Sequence, residues 1–571
     1  MHTSNPLPYR ASRSDTELAT AARLAEGGRA DLALDVYRRI LERDVTTAEA
    51  WYRKGLLHSS DGEAGLAIVA LRQSIALRPT DPWPCFQLAQ IIWSTGIARR
   101  WESIALFRRA FEIDPGCDEF RLNLGNALAA VNSLGEAFHI LKSLPATLPS
   151  WWASARDNAV AAYHARRHEL RTILLNRRSS TDKTLPPAQR VRTAALLAML
   201  GKADHALRLT RRLMREHPHT WDTFAIHANI LAERRGPATA VRFLDSIDWL
   251  FSESAPFELM LARYRYESGA NDEAWAALTP PVRSSSQEAR ALASSVLLSL
   301  GQGDALLTHC REWIRDTPDD TAPYMFAIAA QRTRGVLRTF DEMSPEIAHP
   351  TQFARFLSIV QFWDAAVPPA EVQATMNSWR DKHPEMRHVV YSESTAREYL
   401  ARHYGNAVVA CFSWCHHAAM KSDLFRIAYL AREGGVYVDA DEYCRRPISP
   451  LLRELESSEL IAALSADVAP YLYNAFLLAR PGSRVMQSTL AAMLDGLGHG
   501  MRSGRHPDIW HATGPGILTR TVGGLLATDD TASASLLLLT KGQYASFTSE
   551  IDTLAYKQTQ AGNWRLSASR A

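Results

Sequence analysis

Cysteine is scarce in this sequence, and long apolar runs are missing. Six cysteines scattered over 571 residues are too few for a disulfide framework. No apolar run approaches the ~20 residues that a bilayer-spanning helix needs, and the polar first 14 residues lack the apolar core of a signal peptide. We therefore expect no transmembrane segment and a cytoplasmic protein, either free or peripheral to a membrane assembly.

A charge excess of either sign is also lacking. The chain has 64 basic and 61 acidic residues, and from Phe353 onward it has 21 of each. Neither part carries the basic field of a nucleic-acid binder, so we expect no nucleic-acid partner. A chain of 571 residues is too long for one hydrophobic core. We therefore expect two or more domains.

A period near 34 residues runs through the first part of the chain. Such a period predicts helix-turn-helix repeats, in which a small residue lets two helices approach. A bulky residue four positions later, such as Tyr37 or Leu71, would fill the groove beside it. The residues that recur at this period are Ala33, Ala67, Ser103, Ala137, Ala206, Ala240, Ala274 and Leu306.

Proline and glycine recur with the same period. Five residues before the small position a glycine marks the turn within the pair, and twelve residues after it a proline ends the second helix. The glycines are Gly28, Gly62, Gly201, Gly269 and Gly301, and the prolines are Pro79, Pro115, Pro149, Pro218 and Pro318. Arg171 stands where a small residue should be, which predicts a divergent repeat or an irregular joint there.

These offsets resemble the tetratricopeptide repeat (TPR). Trp51 and Gly55 match its first-helix signature, and the stretch from Ala67 to Pro79 matches its second. The resemblance predicts an α-helical TPR solenoid over residues 15–340. It implies a concave surface that holds a protein partner, although the stack could instead only space, dimerise or stiffen the chain.

After about residue 344 the pattern changes to strands alternating with helices. We predict a strand around residues 356–363, a helix from Glu371 to Lys382, a strand from His388 to Tyr391 and a helix from Ser394 to Tyr404. This order indicates a mainly parallel sheet covered on both faces, with ligands at the carboxyl ends of its strands. It predicts a second, α/β domain over residues 353–571.

The most informative motif lies in this second part. Gly434 and Gly435 precede a short apolar strand that ends in Asp439 and Asp441. Two carboxylates at a strand end suit a divalent cation and the phosphates it carries. Three chemistries remain open for such a pair: a phosphatase of the haloacid dehalogenase type, a helix-loop-helix calcium site and a nucleotide-sugar transferase. Tyr443 departs from the phosphatase pattern, and the residues after Asp441 do not continue a calcium loop.

The surrounding residues resemble the DxD region of glycosyltransferase family 32 and of the large clostridial glucosylating toxins. About ten positions between Lys421 and Asp441 agree in type and spacing. Further similarities are Gln361-x-Trp363, Asn474-Ala475-Phe476 and Thr513-Gly514-Pro515. The resemblance implies a GT-A fold, a UDP- or GDP-sugar donor, Mn²⁺ or Mg²⁺, and hexosyl transfer with retained anomeric configuration, for instance in polysaccharide biosynthesis.

The resemblance also assigns roles to individual residues. Asp441 would ligate the metal, Asp439 the metal or the donor, and Asp423 and Arg426 would reach the sugar and the phosphate side. Donor-binding roles fall to six further residues: Trp363 against the base, Tyr437 along the diphosphate, Gly434 and Gly435 as helix end and close backbone approach, Asn474, and Trp564. Asn563 would offer the metal an oxygen.

The chain departs from the family at two places. Val360 stands where the family commonly has a His, and the segment Tyr556 to Trp564 replaces a closing His-Ser-Trp pattern. Lys557 could offset phosphate charge there. Two readings remain: an active transferase whose repeats select or position a protein or saccharide acceptor, and a repeat-based interaction protein with an inactive sugar-nucleotide domain. TPRs beside a transferase also resemble protein O-GlcNAc transferases, but those lack a DxD site.

Overall fold

The computed structural model of the chain describes residues 13–26, 29–61, 63–94, 100–145, 150–175, 186–252, 254–338, 340, 357–529, 531–551 and 554–558. The chain divides into two compact units. One unit comprises Met1–Val36, Leu57–Glu63 and Gln302–Ala571, and the other comprises Tyr37–Leu56 and Ala64–Gly301. Within the described residues, no helix combines the length and the apolar character needed to cross a membrane.

The first part of the chain is helical throughout its described residues. In chain order the helices are α1 (Arg13–Glu26), α2 (Ala30–Arg43), α3 (Ala48–Ser60), α4 (Ala64–Leu77), α5 (Pro82–Ser94), α6 (Arg100–Ile113), α7 (Asp118–Ala130), α8 (Leu134–Leu141), α9 (Ser150–Leu175), α10 (Pro187–Met199), α11 (Ala203–Glu216), α12 (Trp221–Arg235), α13 (Pro237–Asp245), α14 (Asp248–Phe251), α15 (Ala255–Glu267), α16 (Asn271–Ala277), α17 (Pro280–Ser284), α18 (Gln287–Ser299), α19 (Gly303–Asp316) and α20 (Ala322–Thr333).

The residues at the periodic positions are buried, as the repeat pattern predicts. Each is completely buried: Ala33, Ala67, Ser103, Ala137, Ala206, Ala240, Ala274 and Leu306. The bulky residues four positions later are also buried, as Tyr37, Leu71 and Phe107 show. A larger side chain at the small positions would force the two helices apart, because protein interiors are close-packed. The TPR-like fold of this region is therefore confirmed.

The predicted turns and helix ends are found where the structure describes them. Gly201, Gly269 and Gly301 adopt left-handed backbone conformations with φ of 78°, 87° and 69°. Helices α4, α6, α11 and α19 each end two residues before a periodic proline. Gly28, Gly62 and Pro149 lie outside the described residues. Around Arg171 the chain forms the single 26-residue helix α9 in place of a helix pair, which accounts for the broken period.

The second part of the chain alternates strands and helices. In chain order the elements are β1 (Ser358–Phe362), α21 (Ala370–Lys382), β2 (Arg387–Tyr391), α22 (Glu393–Tyr404), α23 (Asn406–Trp414), α24 (Ala418–Glu433), β3 (Gly435–Val438), β4 (Glu442–Cys444), α25 (Ser449–Glu454), β5 (Leu460–Leu464), β6 (Leu472–Ala479), α26 (Arg484–Ser503), α27 (Ile509–Ala512), α28 (Pro515–Thr528), β7 (Leu536–Leu539), α29 (Lys541–Phe547) and β8 (Thr548–Glu550). The four elements predicted between residues 356 and 404 are confirmed within two residues at each end.

Six described strands form one mixed sheet with the order β2-β1-β3-β6-β5-β7. The pairs β1/β2, β1/β3 and β5/β7 are parallel, whereas β6 runs antiparallel to β3 and β5. Successive residues of β3 alternate between the two faces of the sheet: Tyr437 joins the core on one face, and Val436 and Val438 join the core on the other. Both faces are therefore covered, as expected of an α/β domain.

The last helix pair of the repeats belongs to the same compact unit as the sheet. Helix α20 packs along α28, where a Cβ at Gly523 would lie 2.6 Å from the carbonyl oxygen of Tyr324. The fully buried side chain of Gln331 donates a 2.6 Å hydrogen bond to the carbonyl oxygen of Leu526. Residues from Gln302 onward thus fold against the α/β domain.

Candidate active site

Polar side chains collect at one edge of the sheet, beyond the carboxyl end of β3. The strand ends at Val438, and the next amide, that of Asp439, donates a 2.8 Å hydrogen bond to the carbonyl oxygen of Ala475. Because β6 is antiparallel to β3, the start of β6 lies at this same edge and brings Asn474 beside Asp439. The topology therefore assembles the site from distant parts of the sequence.

Arg426 holds the first acid of the pair. Its Nη2 lies 2.8 Å from Asp439 Oδ1, and its Nη1 donates a 2.6 Å hydrogen bond to the carbonyl oxygen of Asn474. The guanidinium is 3% exposed and lies 4.4 Å from the centre of the Tyr437 ring. A buried guanidinium needs such partners, because an unpaired charge in the interior is costly.

Asp423, one turn before Arg426 on helix α24, is the second partner of that guanidinium, at 3.2 Å. Its two oxygens accept hydrogen bonds from Asn474 Nδ2, at 2.9 Å, and from Thr513 Oγ1, at 3.1 Å. Burial raises the pKa of Asp423 to about 6, although Arg426 acts in the opposite direction. Asp423 therefore fixes both the guanidinium and the Asn474 amide.

The pKa of Asp439 is raised to about 7. Burial is the main cause; Arg426 opposes it, and the negative charges of Asp441 and Asp423 add to it. A hydrogen bond of 3.2 Å donated by the Tyr437 hydroxyl lowers the pKa. The pKa of Asp439 thus lies above the ordinary value of an aspartate.

The second acid, Asp441, is held from the C-terminal side of the domain. Its Oδ2 accepts a 3.0 Å hydrogen bond from the Tyr556 hydroxyl and lies 2.8 Å from Lys557 Nζ. The same ammonium lies 2.8 Å from Glu550 Oε1. Burial alone would lower the pKa of Lys557, but Asp441 and Glu550 outweigh it and raise the pKa.

Asp439 and Asp441 supply part of the ligand set that a hard divalent cation needs. Carboxylate oxygens are the ligands that Mg²⁺ and Mn²⁺ prefer, and Asp439 and Asp441 offer them side by side. In the described part of the chain no third His, Cys, Asp or Glu joins them in a metal-binding cluster. Further ligands would have to be donor phosphates and water, as is common for Mg²⁺ beside nucleotides. A metal bound to Asp439 and Asp441 would lie near two cationic side chains, Arg426 and Lys557.

Trp363 lies one residue beyond β1, at the same edge of the sheet. Its amide donates a 2.9 Å hydrogen bond to the carbonyl oxygen of Tyr391, and its ring meets that of Tyr556 edge to face at 5.1 Å. Through Tyr556 it is connected to Asp441. A base-stacking role for Trp363 therefore stays a prediction whose location agrees with the rest of the site.

Two sequence-based assignments are corrected by the structure. The Tyr437 side chain is completely buried, with its hydroxyl bonded to Ser422 Oγ at 2.7 Å and to Asp439, so it cannot lie along a diphosphate. Tyr437 lies two residues before Asp439, on the same face of the strand. Its hydroxyl donates a hydrogen bond to the Asp439 carboxylate. Tyr437 is a positioning residue.

The second correction concerns the glycine pair. Gly434 ends helix α24 with φ of 65°, as expected, but it and Gly435 lie at the start of β3, at the opposite end of the strand from Asp439. A Cβ at Gly434 would lie 2.4 Å from the nitrogen of Pro481, and one at Gly435 would lie 2.7 Å from the carbonyl oxygen of Ser358. The close backbone approach is to neighbouring chain segments, not to a donor.

Several residues of the site were not assigned from the sequence. Gln361 donates a 3.1 Å hydrogen bond to the carbonyl oxygen of Asp439, and Gln361 Oε1 lies 2.7 Å from His388 Nε2. Thr513 holds Asp423, and Tyr556 holds Asp441. Gln361 and Thr513 belong to motifs that the family resemblance had already marked, which was the available signal. Asn563 and Trp564 lie outside the described residues.

Comparison with known proteins bears on the same residues. Residues 369–458 match the family described as "Glycosyltransferase sugar-binding region containing DXD motif". This stretch is similar to a glycosyltransferase DXD region. It contains Asp423, Arg426, Asp439 and Asp441, and the first three of these residues form the acid–guanidinium cluster.

Two curated relatives come from the fission yeast Schizosaccharomyces pombe. The chain is similar to inositol phosphoceramide mannosyltransferase 3, with 28% identity over 118 residues (20% of this chain and 33% of that protein). Inositol phosphoceramide mannosyltransferase 1 is 24% identical over 163 residues, 26% of this chain and 51% of that protein. The chain thus spans about a third of one relative and about half of the other.

Among solved structures, an O-GlcNAc transferase mutant from Thermobaculum terrenum aligns with a TM-score of 0.21 and 21% identity. The alignment covers 23% of this chain and 26% of that protein. An overlap this small does not indicate a shared function.

Proposed function

We propose that this protein is a metal-dependent glycosyltransferase that moves a hexose from a UDP- or GDP-sugar to a protein or saccharide acceptor. The observation that carries the proposal is the arrangement of Asp439 and Asp441 at one sheet edge, inside the DXD region, with each carboxylate bound to a buried or half-buried cation. Cations held in fixed positions, such as Arg426 and Lys557, stabilise the negative charge that develops on a leaving diphosphate.

The residues of the acid–guanidinium cluster would hold the donor sugar. Arg426 is immobilised by Asp423, Asp439 and the carbonyl oxygen of Asn474. Its guanidinium therefore needs little reorganisation energy during the reaction. Asn474 is oriented by its hydrogen bond to Asp423 and lies beside Asp439. In this proposal Asp439, Asn474 and the Asp423–Arg426 pair meet the sugar and ribose hydroxyls.

A divalent cation would be held by Asp439 and Asp441. When bound, it would neutralise negative charge on the leaving nucleotide diphosphate. Lys557 has a related role within the chain: its ammonium already lies against Asp441 and can turn toward a phosphate oxygen when another cation takes Asp441. Trp363 would stack on the nucleobase.

Retention of anomeric configuration is part of the proposal. A double-displacement route needs a carboxylate free to attack the sugar carbon. The three other acids of the described site are engaged. Asp423 accepts two hydrogen bonds and pairs with Arg426, and Glu550 pairs with Lys557. Glu442 is 1% exposed and accepts hydrogen bonds from Tyr544 and Thr548. Attack by the acceptor on the face from which the diphosphate departs is therefore favoured.

The repeats would select or position the acceptor. Stacked helix pairs commonly bind an extended protein segment, and a repeat region beside a transferase can raise the local concentration of an acceptor. The proposal includes a cytoplasmic location, at or near an assembly that builds a surface polysaccharide.

The donor can be narrowed by a panel experiment. Because two relatives are named mannosyltransferases, GDP-mannose is the first donor to test, followed by UDP-glucose, UDP-galactose and UDP-N-acetylglucosamine. Each would be incubated with the full chain and Mn²⁺, and free sugar and nucleotide measured together with the apparent melting temperature. Slow metal-dependent release of sugar from one donor supports the proposal.

A second function is favoured by one observation. Lys557 already neutralises Asp441, the acid that should bind the metal, which would suit a sugar-nucleotide-binding domain that has lost turnover. In that case the panel would show a donor that raises the melting temperature without any release of sugar. No melting shift and no release with any donor would overturn both functions.

A further inference from the structure

A polar cavity of about 310 Å³ lies inside the repeat region, wholly within the unit Tyr37–Leu56 and Ala64–Gly301. Its walls come from the ends of α6 and α7 and from α10, α12 and α15. Trp101, Ala198 and Ile230 give it apolar walls, and Glu233 and Glu267 bring two carboxyl groups to it. The transferase site uses none of these residues.

Glu267 is the residue that needs explanation. It ends helix α15, is 6% exposed and lines the cavity, yet its Oε2 has no hydrogen-bond partner among the described residues. Burial raises the pKa of Glu267 well above its ordinary value, although Arg263 and Arg100 act in the opposite direction. Leaving a buried carboxyl oxygen unpaired is unfavourable, because the oxygen has lost its hydrogen bonds to water. Such a cost is offset when a ligand supplies the missing donor.

Two polar neighbours of Glu267, Tyr264 and Arg263, are engaged with other residues. The Tyr264 hydroxyl, one turn earlier on α15, donates its proton to Asn229 Oδ1 at 2.5 Å and so does not serve Glu267. Arg263 forms an ion pair with Glu288. The cavity therefore contains an unsatisfied acceptor and, on the same helix face, no donor that satisfies it.

Glu233, on the neighbouring helix α12, adds to the acidic character. It accepts a 2.6 Å hydrogen bond from Ser133 Oγ, and burial raises its pKa. Both Glu233 and Glu267 line the same cavity. Arg100 and Arg263 also line the cavity, but Arg263 is balanced by Glu288. Arg100 offsets one of the two acids, so one carboxyl group is left without a cation.

We propose that this cavity binds a lysine side chain of a partner or acceptor protein, with its ammonium on Glu267 and Glu233 and its alkyl stem against Trp101, Ala198 and Ile230. An ammonium offers three donors and needs anionic partners when it leaves water. Its charge would lower the raised pKa of Glu267, so the carboxyl would release its proton when the lysine binds. Long cationic side chains bury their methylene stems along apolar surface. This inference rests on the proposed role of the repeats in holding a protein, and it is independent of sugar transfer.

The test uses Nα-acetyl-lysine-N-methylamide as the probe, titrated calorimetrically into the full-length chain. The matched neutral probe is the norleucine analogue, which keeps the stem and lacks the charge. We expect the lysine probe to bind about tenfold or more tightly than the norleucine probe, the usual difference for a charge-assisted hydrogen bond. Equal affinities, or tighter binding of the acetyl-glutamate analogue, would overturn the proposal.

Spermidine distinguishes a free amine from a protein side chain. Binding of spermidine more tightly than the lysine probe would overturn the assignment to a protein. Weaker binding supports it, because a polyamine brings several charges to a cavity that offers few carboxylates.

Variants locate the binding. Glu267→Gln should weaken the lysine probe about tenfold, whereas Glu273→Gln, an exposed acid on α16, should leave it unchanged. Ala198→Trp fills the cavity and keeps both acids, so it should abolish binding even if Glu267→Gln is poorly folded. Unchanged binding in a folded Ala198→Trp variant would exclude this cavity. Sugar release from the donor panel should be unaffected by any of these results.

Discussion

Lys557 places its ammonium 2.8 Å from Oδ2 of Asp441, the second acid of the DXD motif. A residue from the C-terminal segment thus neutralises the carboxylate that is expected to bind a metal. Any metal at Asp441 must compete with this ammonium, because two cations on one carboxylate oxygen repel each other. The metal requirement of the protein therefore depends on Lys557.

Replacing Lys557 by methionine tests this competition. The variant keeps the length of the side chain and removes its charge, so we expect Mn²⁺ to bind about tenfold more tightly in the absence of donor. Calorimetric titration with Mn²⁺ measures the effect. Lys541→Met, an exposed lysine at the start of α29, is the control and should behave as the wild type. The same Mn²⁺ affinity in Lys557→Met and wild type would show that the two cations do not compete.

Tyr437→Phe tests the support of the first acid. The change removes the 3.2 Å hydrogen bond to Asp439 and leaves the ring in place, so the fold should persist. Losing a donor to a carboxylate raises its pKa, and the pKa of Asp439 is already about 7. We expect the acid limb of the pH–rate profile for sugar release to move to higher pH, with about tenfold loss at pH 7.

The control for that experiment is Tyr404→Phe. The Tyr404 hydroxyl donates a hydrogen bond to the carbonyl oxygen of Ala428, in the same domain and away from Asp439. Its profile should match the wild type. An unshifted acid limb in Tyr437→Phe would mean that ionisation of Asp439 does not limit the reaction.

Glu267→Gln makes a prediction about stability. The pKa of Glu267 is raised in the folded chain above its ordinary value of 4.5, so above pH 4.5 the unfolded chain releases this proton while the folded chain retains it. The stability of the wild type therefore falls relative to that of Glu267→Gln as the pH rises from 4.5 toward the folded pKa. Melting curves at pH 5 and pH 8 measure the difference.

The gain in melting temperature of Glu267→Gln over the wild type should be larger at pH 8 than at pH 5. Glu273→Gln, at an exposed position, should show no such dependence. An equal gain at both pH values would indicate that Glu267 is ionised in the folded protein and paired there.

Local sequence patterns predicted much of the fold. The buried small residues from Ala33 to Leu306 follow a fixed period, and helix packing imposes that period directly on the sequence. The strands β1 and β2 and helices α21 and α22 were likewise recognisable from periodicity and turn residues. The antiparallel direction of β6 was not, because strand direction depends on a pairing with β3 that local sequence does not encode.

The site was predicted in its local part and missed in its long-range part. Asp423 and Arg426 share one helix, and Asp439 and Asp441 one loop, so spacing alone brought each pair together. Thr513 and Tyr556 reach the same acids from far along the chain. Tyr437 and the pair Gly434 and Gly435 were misassigned because a motif shows which residues recur, not which of them face the interior.

The central claim is that Asp441 and Asp439 bind a metal and support transfer from a nucleotide sugar. The most direct measurement is the rate of Mn²⁺-dependent sugar release by Asp441→Asn, with the donor that the panel identifies and with Asp495→Asn, an exposed acid on α26, as the control. We predict a loss on the order of a hundredfold or more in Asp441→Asn at an unchanged melting temperature. A folded Asp441→Asn protein that releases sugar at the wild-type rate would contradict the account.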